Sequence, residues 1–164
     1  MIVQATSLEW LASRLDRIRW KGLRLLGFGL RSRFYPKLLQ LGVARATHGF
    51  PDAERWLPWF QAEVRRNDPI GVLEAGWSLS SYDARGWAPK LGLPAASLIT
   101  TADRLVKPAK QRALADALDA RVWELPVDHL CTLTDGPDYA RVTIEQLDHV
   151  VAAVRERQAS TAAG

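Results

Sequence analysis

One aspartate and one histidine stand where a sequence could place acid–base chemistry. Asp103 follows a short apolar run with β-branched residues at positions 95–101. His129 follows a second such run, Arg121–Leu125, in the tripeptide Val-Asp-His. An Asp beside a His can fix the imidazole tautomer and stabilise the imidazolium, which a histidine needs when it activates a nucleophile. These residue types therefore indicate a base and its orienting acid, provided that the fold brings them together.

The elements between Asp103 and His129 predict that the fold brings the two residues together. Pro108 opens a helical pattern that runs to Leu118, with apolar positions Ala113, Leu114, Ala117 and Leu118 on one face. Two strands joined by a helix are expected to be parallel, and their carboxyl ends then meet at one edge of the sheet, where α/β proteins build their sites. We therefore expect Asp103 and His129 to be neighbours in space.

This arrangement resembles the C-terminal part of an α/β-hydrolase, whose chain order is nucleophile, acid, histidine. Thr-Thr-Ala-Asp103-Arg-Leu-Val is similar to the acid turn of that family, and Val-Asp-His129 to its histidine loop. The resemblance implies that Asp103 is the triad acid and His129 the base of a serine esterase or lipase-like enzyme. It implies a small-molecule acyl substrate, a carboxylic ester or related compound, and no metal or organic cofactor. The alternative is structural, because an Asp after a strand can be only a turn residue or helix cap, and a loop His only a surface residue.

The predicted fold class is α/β, a partial α/β-hydrolase fold with short parallel strands, flanking helices and a helical cap insertion. Residues 1–7 and 93–157 are assigned to the core of that fold, beginning with a strand at Ile2–Thr6. Residues 8–92 are assigned to a helical cap or lid and a return segment, and residues 158–164 to a frayed tail. The last helix is expected to be capped by Thr143 and to pack on the sheet through its apolar residues Ile144, Leu147, Val150, Val151 and Val154.

A nucleophile is harder to find in this sequence. The nearest approach to Gly-x-Ser-x-Gly is Gly76-Trp77-Ser78-Leu79-Ser80, which lacks the last glycine. It also lies within a helix predicted from Asp68-Pro69 onward, whereas a nucleophile elbow needs a strand before its serine. Cys131 is too close to His129 in sequence for the two side chains to be expected to face each other. The sequence therefore predicts a truncated hydrolase, inactive alone, that needs a separately made N-terminal half.

Composition and charge limit the other classes of function. The net charge is +4, and residues 1–45 carry nine Lys and Arg against Glu9 and Asp16. Peripheral membrane or anionic-lipid contact through basic residues 14–45 stays open, whereas the absence of a recognition motif argues against nucleic acid. The single cysteine excludes an internal disulfide. With no signal-peptide pattern and no apolar run of about 20 residues, the prediction is a cytoplasmic protein.

A second function class also stays open at this stage. The chain is then a non-catalytic interaction module or remnant, which uses its basic N-terminal helices or the exposed edge of the strand at Ile2–Thr6. Such an edge can pair with a partner or with a second copy of the chain, giving a homo-oligomer.

Overall fold

The computed structural model describes residues 1–10, 53–68, 71, 74–75, 78–79 and 81–162. The chain divides into two compact units, one made of Met1–Glu9 with Asp83–Gly164 and the other of Trp10–Tyr82. The basic segment 14–45, with the helices predicted there, lies outside the described residues.

The second unit contributes one long described helix, α1 (Ala53–Arg66), which includes Pro58. Trp59 on this helix is 55% exposed, so it is not part of a buried packing face. Farther along, Ser78 and Leu79 are helical and exposed. Ser78 therefore lacks the strand-to-helix turn of a nucleophile elbow, as the sequence indicated.

The first unit is built on three parallel strands, β1 (Ile2–Gln4), β2 (Ala96–Thr100) and β3 (Arg121–Leu125), in the order β1-β2-β3. The predicted parallel pairing of β2 with β3 is confirmed. β2 is buried along its whole length because it lies between the other two strands. β1 is shorter than predicted because Ala5, at φ 47°, adopts a left-handed conformation that no strand contains.

The helices of this unit follow the strands. A short 3₁₀ helix spans Ala88–Lys90, and α2 spans Pro108–Ala117 with proline at its first position, where no backbone N–H is needed. After β3 come α3 (Cys131–Thr134) and α4 (Gly136–Ala162). No helix in the described part of the chain is both long and apolar enough to cross a membrane.

The apolar core has two parts, one on each face of the sheet. Leu114 and Leu118 pack with Ala84, Ala88 and Ala95 on the α2 side. Leu98 of β2 and Leu125 of β3 pack with Val142 of α4 on the other side. Burying these side chains stabilises the unit by about 1.5–3 kcal/mol for each leucine or valine. The sheet is thereby held between α2 and α4, and this packing fixes the positions of the carboxyl ends of its strands.

The last helix differs from the prediction in its start and in its buried face. α4 begins at Gly136, so Thr143 lies inside it and donates to the Tyr139 carbonyl at 2.8 Å instead of capping. Val142 and Gln146 face the core, whereas Ile144, Leu147, Val151 and Val154 are 59%, 51%, 38% and 37% exposed. The prediction that these four residues pack on the sheet is wrong. The helix turns a different face to the sheet, the one that carries Val142 and Gln146. The helix also continues to Ala162, through most of the segment assigned to the tail.

Candidate active site

The carboxyl ends of β2 and β3 are joined by backbone hydrogen bonds that carry the acid turn and the histidine loop toward each other. Thr101 N donates to Leu125 O at 2.8 Å, and Ala102 N donates to Val127 O at 3.2 Å. At this edge Asp103 Oδ2 lies 2.9 Å from His129 Nδ1. The structure therefore brings together the two residues that the sequence singled out.

The Asp103 carboxylate is buried and surrounded by donors. The residue is 4% exposed. Its Oδ1 accepts hydrogen bonds from the backbone N–H groups of Leu105 and Val106, both at 2.8 Å. Its Oδ2 accepts from Thr100 Oγ1 at 2.8 Å and from Gln111 Nε2 at 3.0 Å, in addition to His129. A buried carboxylate is stable only when its oxygens are satisfied in this way.

This environment assigns the tautomer of His129. Every other neighbour within hydrogen-bond distance of Asp103 is a donor, so the carboxylate acts as an acceptor throughout. Nδ1 of His129 must therefore carry the proton that it shares with Asp103. Nε2 is then left with its lone pair, in a side chain that is 28% exposed. An imidazole oriented in this way can take a proton from a group placed beside Nε2.

Gln111 is a part of the site that sequence reasoning missed. It is 1% exposed and lies on the buried face of α2 with Leu114 and Ala115, whereas Ala113, predicted to be on that face, is exposed. Its Oε1 accepts from the Thr100 N–H at 2.9 Å, and its Nε2 donates to Val106 O at 2.7 Å as well as to Asp103. A polar residue three and four positions before buried apolar ones is the signal that could have identified it.

An ion pair ties the acid turn to the histidine loop from outside. Arg104, next to Asp103, places Nε 2.6 Å from Oδ2 of Asp128, next to His129. The other oxygen of Asp128 accepts from the His129 N–H, also at 2.6 Å. The main chain of the histidine loop is thereby held in place, while the Arg104 side chain stays 55% exposed.

Cys131 does not form part of this arrangement. It begins α3 and is 1% exposed. Burial is the main cause that raises the pKa of its thiol, with the nearby Asp135 carboxylate acting in the same direction. A buried, protonated thiol is a poor nucleophile, so the structure gives no support to Cys131 as the partner of His129. Among the described residues, no cluster of three or more His, Cys, Asp or Glu could hold a metal ion.

Solved structures provide the comparison for this fold. A hydrolase from Pseudomonas aeruginosa superposes with a TM-score of 0.68 at 16% identity, covering 89% of this chain and 54% of its own. An enol-lactonase from Burkholderia xenovorans gives a TM-score of 0.66 at 21% identity, over 90% of this chain and 55% of its own. An α/β-hydrolase enzyme from a Medee basin deep-sea metagenome library also gives 0.66, at 12% identity, with the same coverage.

This chain has a partial α/β-hydrolase fold. The fold predicted from the acid turn and the histidine loop is therefore confirmed, and the chain spans little more than half the length of the structures it matches. No protein-family model and no curated protein sequence matches it. The likeness is one of fold, so it assigns no chemical role to Asp103 or His129.

Proposed function

We propose that this chain supplies the acid and the base of a serine hydrolase of the α/β-hydrolase family, acting on carboxylic esters or related acyl substrates. The observation that carries the proposal is the 2.9 Å contact between Asp103 Oδ2 and His129 Nδ1 where two neighbouring parallel strands end. A buried acid with all its acceptors engaged, facing a partly exposed imidazole, is the arrangement that a hydrolytic base requires.

In this mechanism His129 works in two steps. Its Nε2 takes the proton of a serine hydroxyl as the serine oxygen attacks the ester carbonyl carbon, and then gives that proton to the leaving alkoxide. In the second step Nε2 takes a proton from water, whose oxygen attacks the acyl-enzyme, and returns it to the serine. Asp103 keeps Nδ1 protonated and stabilises the imidazolium formed in between, without taking the proton itself.

The nucleophile of this enzyme has to come from elsewhere. The 164 residues contain no Gly-x-Ser-x-Gly, and Ser78 is in a helix. Structures with the same fold are almost twice as long as the part that this chain matches. We propose that a complementary N-terminal part provides the serine and the oxyanion hole, and that this chain alone is inactive.

The substrate class follows from the acyl-transfer chemistry. One of the similar structures is an enol-lactonase, and a lactone is a cyclic ester, so lactones are among the substrates to test. Residues 8–92 are proposed to act as a cap or lid and return segment, as the resemblance implies. This places the specificity of the enzyme in a different segment from its acid and base.

The test is reconstitution with the polypeptide encoded directly upstream of the Met1 codon. A fluorophosphonate probe is expected to label a serine of that polypeptide when both are present, and to label nothing on this chain alone. His129→Ala should lower ester or lactone hydrolysis by about 10³-fold or more, because the serine loses its base. His149→Ala is the matched control, because His149 lies on α4 against Trp123, outside the site.

Two results would contradict the proposal. One is stoichiometric labelling of a serine in this chain alone. The other is a reconstituted hydrolase whose activity His129→Ala and His149→Ala reduce equally.

A further inference from the structure

The side chain of Gln111 on α2 touches three separate parts of the segment that carries the acid. Its Oε1 accepts a hydrogen bond from the N–H of Thr100, at the end of β2. Its Nε2 donates to Asp103 Oδ2 at 3.0 Å and to the carbonyl oxygen of Val106 at 2.7 Å. One amide group therefore joins the strand end, the carboxylate and the turn that follows it.

The main chain fixes the orientation of this amide. A backbone N–H only donates and a carbonyl oxygen only accepts, so Oε1 must face Thr100 and Nε2 must face Val106. Exchanging the two ends would bring two donors together at Thr100 and two acceptors together at Val106, among residues that are all buried. Gln111 therefore presents an N–H to Asp103 whenever these two backbone groups are satisfied.

The same amide supports both oxygens of the Asp103 carboxylate. It bonds to Oδ2 directly. It also acts on Oδ1 through the main chain, because Oδ1 accepts from the N–H groups of Leu105 and Val106, and Gln111 holds the Val106 carbonyl. The Thr100 hydroxyl, in contrast, donates to Oδ2 and accepts from Gln111. Loss of Gln111 would thus release the carboxylate at both oxygens, whereas loss of the Thr100 hydroxyl would remove one donor from one oxygen.

We propose that Gln111 is the positioning residue of the acid, which holds the Asp103 carboxylate in the direction in which Oδ2 meets Nδ1 of His129. The 2.9 Å distance between those two atoms depends on the shape of the segment 100–106, and Gln111 bonds to both ends of that segment. Gln111 acts on His129 through Asp103, so it is not a catalytic residue. This inference rests on the proposed function and names the residue that prepares the base of the same site.

The first measurement uses this chain alone and does not depend on catalysis. With isotopically labelled histidine, proton–nitrogen correlation spectra report which ring nitrogen of His129 carries the proton. We expect the Nδ1–H tautomer in the unmodified chain. In Gln111→Met we expect a mixture of the two tautomers, because the carboxylate is no longer held. Hydrogen exchange of the Leu105 and Val106 amides should also rise by about tenfold or more relative to the amides of β3.

Two further variants separate positioning from a general loss of hydrogen bonds. Thr100→Val removes one donor to Oδ2 but keeps the bonds from Gln111 to the backbone and to Asp103, so His129 should stay in the Nδ1–H tautomer. Gln146→Met is the matched control, because it makes the same substitution at a buried glutamine of α4 that bonds to Gln4. Circular dichroism verifies that each variant is folded. If Gln111→Met is not, Gln111→Asn, whose amide is one methylene shorter, takes its place.

The second measurement uses the reconstituted enzyme. Gln111→Met is expected to lower kcat by about 10–100-fold, because a base without a fixed acid slows the chemical step. KM should change by less than about twofold, because a residue buried beneath the acid does not contact the substrate. Gln146→Met should leave both constants within about twofold of those of the unmodified chain.

The outcomes distinguish this inference from the proposed function. The role of Gln111 is overturned if His129 keeps the Nδ1–H tautomer in Gln111→Met, or if Thr100→Val or Gln146→Met disturbs His129 equally. If the tautomer changes as expected but the reconstituted chain hydrolyses nothing, Gln111 positions the acid and the proposed function is rejected. If the reconstituted enzyme is active and Gln111→Met leaves kcat unchanged, the proposed function stands and the role of Gln111 is rejected.

Discussion

Two buried glutamines on opposite faces of the sheet differ in how completely they are satisfied. Gln111 of α2 bonds at both ends, to Thr100, Asp103 and Val106. Gln146 of α4 accepts from Gln4 through Oε1, and its Nε2 has no partner among the described residues. Both side chains are excluded from water, at 1% and 0% exposure. A buried amide without a partner costs stability that a satisfied one does not.

The difference separates a region that this chain completes by itself from one that it leaves open. Around Asp103, the carboxylate, the amide of Gln111 and the histidine loop satisfy one another with residues of one unit. Around β1, the outward backbone groups of Ile2 and Gln4 and the buried amide nitrogen of Gln146 have no partner among the described residues. Apolar side chains such as Leu147 on α4 are also exposed. Asp103 and His129 are therefore held in place by residues of their own unit, which agrees with the proposed function, in which a complementary part supplies the nucleophile.

The largest expected effect comes from replacing the acid itself. Asp103→Asn turns one acceptor oxygen into a donor facing Thr100, Gln111 or His129, so the imidazole loses the group that fixes its tautomer. In the reconstituted enzyme we expect kcat to fall by about 10³–10⁴-fold. Asp116→Asn, an exposed change on α2, is the control and should leave kcat within about twofold. Steady-state kinetics of both variants decide, and an active Asp103→Asn enzyme would remove Asp103 from the mechanism.

Gln111→Met tests the region around Asp103 by removing the hydrogen bonds that the Gln111 side chain makes there. The methionine fills a similar volume but leaves Thr100 N and Val106 O buried without the side-chain partner they have now. We expect the free energy of unfolding of the isolated chain to fall by about 2–3 kcal/mol, measured by urea denaturation. A positioning role also predicts that Gln111→Met changes the pH profile of the reconstituted enzyme, which a purely structural loss would not do.

Gln146→Met is the matched change in the open region, and its effect should be smaller. Gln4 Nε2 keeps Thr143 Oγ1 as an acceptor at 3.0 Å, and the variant removes a buried N–H group that had no partner. We expect a change in the free energy of unfolding of about 1 kcal/mol or less. If the two glutamine variants destabilise the chain equally in urea, the contrast between the regions is incorrect.

The site was predictable because its signals are local. One strand is followed by an acid and the next by a histidine. Pro108 marks the start of the helix between them, which allows the two strands to be parallel and brings their carboxyl ends to the same edge of the sheet. Asp103 and His129 could therefore be placed together without knowledge of the rest of the fold. Gln111 was missed because a single polar residue within an apolar stripe reads as an interruption of the pattern, although its burial makes it part of the site.

The packing of α4 was not predictable for a different reason. Its sequence offers an apolar stripe at Ile144, Leu147, Val151 and Val154, and helical periodicity selects that stripe for the core. In the structure Val142 and Gln146 pack against the sheet instead, because the Gln4 side chain of β1 donates hydrogen bonds to Thr143 and Gln146. Contacts between residues so far apart in sequence are outside the reach of a periodicity argument.

The smallest expected effect concerns the ion pair that bridges the acid turn and the histidine loop. Arg104→Ala removes a partly exposed contact with Asp128, and such pairs contribute about 0–1 kcal/mol and less as salt increases. We therefore expect a loss of stability below about 1 kcal/mol that shrinks further at high salt. Urea denaturation at low and high salt measures it, with Arg141→Ala, which removes the ion pairs with Asp138 and Glu145 within α4, as the control. If salt leaves the loss of unfolding free energy unchanged, Arg104 supports the acid turn by packing and not by charge. The exposed rim of the site would then matter to its structure as the buried centre does.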